Sequence, residues 1–145
     1  DDPTNTIKLS DGHKASNVET DPAIFANGTM DVEVMSSLDG EETEMKTFKY
    51  ADLIMSTSIS MKNLTVIDVY TTTKAGDSYG AMTLTCQAAD GTMIDVRTIV
   101  LRNENGDLLT EADFINKTID VIGLVDYFSG SHQIKVFTAE EITVH

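Results

Sequence analysis

Apolar and polar residues alternate with a period of two along most of the chain, and a helical period is nearly absent. Asp-Gly and Asn-Gly pairs punctuate this alternation at Asp11-Gly12, Asn27-Gly28, Asp39-Gly40, Asp90-Gly91 and Asn105-Gly106. Such pairs tolerate the positive φ that tight hairpin turns demand, so the pattern predicts a mostly antiparallel β protein.

The second half is the better organised. Leu64 to Thr73 reads as a strand carrying Leu64, Val66, Ile67 and Val69, followed by the polar loop Lys74 to Gly80. Ala81 to Ala88 reads as a second strand, with Met82, Leu84 and Cys86 inward and Thr83, Thr85 and Gln87 outward. Beyond the Asp90-Gly91 turn, Thr92 to Arg102 is rich in β-branched residues and makes a third strand. Leu108 to Ile115 then takes the spacing of a short helix, with Thr110 and Asp113 placed as a loose capping box. Thr118 to Phe128 reads as a fourth strand, alternating around Gly123, and Gln133 to Thr138 as a fifth, running into Ala139 to Ile142.

Three meandering strands, a helical turn and a hairpin close most naturally into a five-stranded barrel, the OB-fold. Gly123 in mid-strand marks a point where a strand must coil to close such a barrel. The expected fold is therefore all-β with one short helix: an OB-fold barrel over residues 61–145 and a β-rich extension over residues 1–60. In that extension Thr6 to Leu9 and Thr29 to Ser36 read as strands, and Met45 to Tyr50 as the return partner of the second. Leu38 to Glu44 is an acidic loop between the paired segments, and Tyr50 to Met55 a helical turn.

Composition narrows the functional classes. The chain has 145 residues, 24 acidic against 10 basic, for a net charge of −14. Its hydrophobic content of 41% suffices for a packed core, and no apolar run is long enough to span a bilayer. Four basic and twelve acidic residues lie up to position 61, and six and twelve beyond it, so the acidity is spread and not a tail. Such a surface disfavours tight nucleic-acid binding, because phosphates want a basic face. One cysteine, Cys86, excludes a disulfide framework and a cysteine-based zinc site, and its inward parity reads as a small buried hydrophobe. The opening Asp1-Asp2-Pro3, the acidity and the scarcity of cysteine suggest an exported, trimmed chain or one unit of a larger bacterial surface protein.

The run from Asn116 to Phe137 resembles the last two strands of OB-fold modules found in extracellular bacterial nucleases and related surface proteins. Lys117, Thr118, Val121, Gly123, Val125, Tyr127, Gly130, Gln133 and Ile134 match that pattern, with Asn116 in place of a leading glycine. The likeness extends over roughly residues 62–142, is specific only over residues 116–137, and does not reach residues 1–60. It implies a non-catalytic accessory module, one that helps hold nucleic acid, with catalysis left to a separate nuclease domain of the parent protein. No catalytic residue carries over.

Direct signs of catalysis are also missing from the sequence. It contains no Gly-x-Ser-x-Gly elbow and no glycine-rich phosphate loop before a helix. His13, His132 and His145 lack metal-ligand spacing, and no cofactor is implied. The acidic stretches Asp39 to Glu44 and Asn103 to Asp107 offer oxygens suited to calcium, but read more simply as hairpin turns. An OB-fold engages ligands on its second and third strands and the adjoining loops. The candidate contact residues are therefore Lys74, Tyr79, Thr83, Thr85, Gln87, Arg97, Tyr127 and Lys135. The expected partner is a macromolecule: a protein, a glycan or, as the alternative, single-stranded nucleic acid bound weakly.

Overall fold

Residues 19–145 are described by the structure, a computed structural model. The expected strand at Thr6 to Leu9, and His13, lie outside them. Strands take up 50% of the described residues and helices 13%, so the chain is predominantly β-sheet.

The first element is one the sequence reading passed over. Asp21 caps a helix α1, Pro22–Asn27, its carboxylate accepting the N–H groups of Ala23 at 2.8 Å and Ile24 at 3.3 Å. Proline at the first helical position has its φ already set and no N–H to waste. Strands β1 (Thr29–Met35) and β2 (Thr43–Lys49) pair antiparallel, as expected, into a hairpin that forms a two-stranded sheet of its own. A helical turn α2, Tyr50–Leu53, follows.

The main sheet begins with β3, Ser58–Thr71, which starts six residues before the expected Leu64. The alternation is hidden there because Ile59, Ser60 and Met61 are all buried in succession. A bulge between Met61 and Leu64 then resets the parity, with Asn63 at φ 58°. The Asp120 carboxylate accepts the Asn63 N–H at 2.9 Å and holds that bulge in place.

Strands β4 (Met82–Gln87), β5 (Met93–Thr98), β6 (Thr118–Phe128) and β7 (Ser131–Val136) follow the expected order. β5 stops four residues short of Arg102: the Ile99 N–H still reaches the Val136 carbonyl at 3.2 Å, but the chain then leaves the ladder. Of the segment expected to be helical, only α3, Glu111–Phe114, is so. Leu109 instead donates its N–H to the Leu101 carbonyl, and the Asp113 carboxylate accepts the Thr110 N–H at 2.7 Å as the capping pattern requires. A short strand β8, Ile142–Val144, was not expected. The Glu141 carboxylate gathers the N–H groups of Phe137 and Thr138, which turns the chain so that β8 runs back along β6.

The strand order is β3-β4-β5-β7-β6-β8, and β6 also pairs with β3. Every pairing is antiparallel except β5 with β7. One side of β6 is taken by β3, from Ser58 against Leu124 to Thr65 against Thr118. The other side is shared by β8 at Ile119–Val121 and β7 at Leu124–Phe128. Between these pairings sits Gly123, where a Cβ would stand 2.4 Å from the Lys135 carbonyl oxygen, so only glycine lets β6 and β7 approach this closely. The strands share one core that includes Met61, Leu64, Val66, Met82, Leu84, Ile94, Val96, Ile119, Val121 and Ile134, all 2% exposed or less.

Candidate ligand-binding groove

Strand parity builds the site. Since Met82, Leu84 and Cys86 on β4, Ile94 and Val96 on β5, and Ile134 and Val136 on β7 point inward, Thr83, Arg97 and Lys135 face outward. Register then aligns them: Tyr70 lies opposite Thr83, Thr83 opposite Arg97, and Arg97 opposite Lys135 across the parallel pair. This row crosses a groove of about 670 Å³. Tyr70, Ile99, Val100 and Phe128 give it apolar walls, Asp77 and Ser78 reach in from the β3–β4 loop, and Asp126 and Gln133 border it on β6 and β7.

Arg97 is half-buried and held in place. Its guanidinium donates to the Thr83 hydroxyl at 3.1 Å and to the Thr72 hydroxyl at 3.0 Å. Neither Arg97 nor Lys135 forms an ion pair among the described residues. Lys135 extends over the Phe137 ring, 5.6 Å from its centroid. Asp126 accepts a hydrogen bond from the Gln133 amide at 2.8 Å, so its carboxylate is engaged. The two cations are neighbours, positioned by hydroxyls and an aromatic ring, with charge left for a ligand. Arginine's planar fork suits a carboxylate or phosphate oxygen pair.

Of the residues expected to make contact, the structure brings Thr83, Arg97 and Lys135 together in this groove. Thr85 and Gln87 continue the same face of β4 beyond its lining, Thr85 lying opposite Asp95. Lys74 and Tyr79 lie on the β3–β4 loop and do not line it. Tyr127 sits apart, because it shares the parity of Val125. Its ring meets His132 edge-on at 5.1 Å, in a separate cleft with Lys49, Asp52 and Met55. There His132 Nε2 lies 2.6 Å from an Asp52 carboxylate oxygen, which ties α2 to β7. Phe128, one residue on, takes the place in the groove. The sequence reading placed Asp77 and Asp126 near this face but missed Tyr70, Thr72, Phe128 and Gln133. Parity held the signal for two of them, as Tyr70 follows inward Val69 and Phe128 lies three residues after inward Val125.

Cys86 and the two acidic stretches lie outside the lining of this groove. Burial first, and then the nearby Asp95 charge, push the Cys86 thiol up to about 12, which leaves it un-ionised. In the acidic hairpin loop the Ser37 hydroxyl, and next the Glu41 N–H, bond to Asp39 and lower its pKa. In the other acidic stretch the Asn103 side chain accepts the N–H groups of Asn105 and Asp107, both at 2.9 Å. Both stretches are side-chain-stapled turns. Among the described residues no three His, Cys, Asp or Glu side chains converge as a metal site would require. No helix among them is long and apolar enough to cross a membrane. No protein-family model matches the chain, and no curated protein matches it.

Proposed function

We propose that the strands from β3 to β7 form an OB-fold barrel and that the chain is a non-catalytic binding module that grips an anionic group of a macromolecular partner. The strand order supports the barrel: β3-β4-β5-β7-β6 returns to β3, with β5 and β7 parallel and a short helix between β5 and β6. The observation that carries the function is the adjacent pair Arg97 and Lys135, free of carboxylate partners among the described residues, on the outer face of the central strands.

The rest of the groove refines the ligand. Asp77 and Asp126 balance the two cations, and the chain as a whole carries −14. That balance suits one carboxylate or sulfate beside an apolar group better than a long run of phosphates. A protein or glycan partner is therefore the leading reading. The acidic, cysteine-poor composition and the resemblance of residues 116–137 to accessory modules support the reading of the chain as part of a larger secreted or surface bacterial protein. Single-stranded nucleic acid is the second reading, favoured by the aromatic rings of Tyr70 and Phe128, exposed at 62% and 69%.

Amide-shift mapping on the isotope-labelled chain tests both readings. The probes are a glutamate-rich peptide, a heparin oligosaccharide and oligothymidylate, each titrated at low salt. The leading reading expects the peptide or the heparin to shift Thr83, Arg97 and Lys135. Shifts there from oligothymidylate alone would favour the second reading, and no shift at this row from any probe would overturn both.

A further inference from the structure

The β1–β2 hairpin carries a second surface, independent of the groove. Among the described residues neither of its outer edges has a ladder partner, so each strand leaves a row of backbone N–H and C=O groups open. β1 alternates from Met30 to Val34. Met30, Val32 and Val34 share one face with Phe48, while Asp31 and Glu33 lie on the other. Those two carboxylates are held in place by hydroxyls from β2, Asp31 by Thr47 and Glu33 by Thr43. Residues 29–49 hold six carboxylates against two lysines.

We infer that the open edge of β1 accepts an added strand from a basic partner polypeptide that alternates Lys or Arg with aliphatic residues. Main-chain hydrogen bonds would supply affinity, and the alternation of β1 would supply specificity. The partner's cations would lie opposite Asp31 and Glu33, and its aliphatic side chains beside Met30, Val32 and Val34. The β2 edge suits such a strand less well, because Lys46 and Lys49 would meet it. A second copy pairing through its own β1 is the wrong occupant, since it would set like charges against Asp31 and Glu33.

The test titrates a synthetic peptide alternating Lys with Val into the isotope-labelled chain at low salt. Amide shifts and slowed amide exchange confined to β1 are expected. The double substitution Asp31→Lys, Glu33→Lys is expected to weaken binding at least tenfold and to switch preference to a peptide alternating Glu with Val. Arg97→Glu is expected to leave the affinity for this peptide unchanged while it weakens ligand binding in the groove, which separates the two surfaces. Absence of shifts, shifts on β2 or in the groove, or a hairpin-mediated dimer in sedimentation would overturn the proposal. The wild-type shift map decides on its own if the double variant does not fold.

Discussion

Gly123 on β6 lies against the backbone carbonyl of Lys135 on β7, at a distance that excludes any side chain: a Cβ there would stand 2.4 Å from the oxygen and 2.7 Å from Ile134 Cγ2. The obstruction is backbone, so it cannot swing away as a flexible side chain would. Gly123→Ala is expected to destabilise the fold by about 1–3 kcal/mol, the usual penalty for overpacking a tight interior. Urea denaturation of the variant measures it, and wild-type stability in the variant would show that β6 and β7 have room to part.

Asp120 links acid sensitivity to the bulge in β3. Burial raises its pKa, but the Asn63 N–H, then the His145 ring hydrogen bond and charge, and finally Lys62 outweigh that and hold it below the ordinary value. A carboxylate lowered in the folded state adds stability above its unfolded pKa of about 3.9 and loses it as pH falls through the folded value. Asp120→Asn is therefore expected to be less stable than wild type near neutrality, with the gap closing in acid. Melting curves across that pH range check the sign, and a gap that widened in acid would refute it.

Cys86 is fully buried and its thiol is pushed up to about 12. It is expected to resist thiol reagents at neutral pH in the native protein and to react once denaturant unfolds the chain. Rapid native labelling would mean that β4 and β5 open locally.

Tyr70 and Phe128 separate binding from folding. Both are largely exposed, so Tyr70→Ala and Phe128→Ala are expected to alter stability by about 0.5 kcal/mol or less. If bases stack on them, the same substitutions weaken oligothymidylate binding. On the leading reading they remove apolar wall beside the anion, and weaken glutamate-peptide or heparin binding less than Arg97→Ala does.

The strands with unbroken alternation were legible in the sequence: β4, β5 and β6 follow from parity, and the turn residues fall between them. What escaped was structure decided by tertiary contacts. The start of β3 is masked by three consecutive buried residues, and β8 depends on the Glu141 carboxylate folding the chain back. Helix α1 rests on Asp21 and Pro22, a legible cap ahead of a segment too short to show a helical period. For the groove, the outward row Thr83, Arg97 and Lys135 came from alternation. Arg97 bonding to Thr72, and Tyr127 turning away in favour of Phe128, follow from loop placement and from the parity at the end of β6.

Isothermal titration with whichever probe shifts the groove, run on wild type, Arg97→Ala and Lys135→Ala, puts the anion-gripping role of this pair to the most direct trial. A charge-assisted hydrogen bond is worth about 1.5–3 kcal/mol, so Arg97→Ala should weaken binding roughly tenfold or more, and Lys135→Ala should weaken it in the same direction. Affinities unchanged in both variants, with the fold intact by circular dichroism, would contradict it.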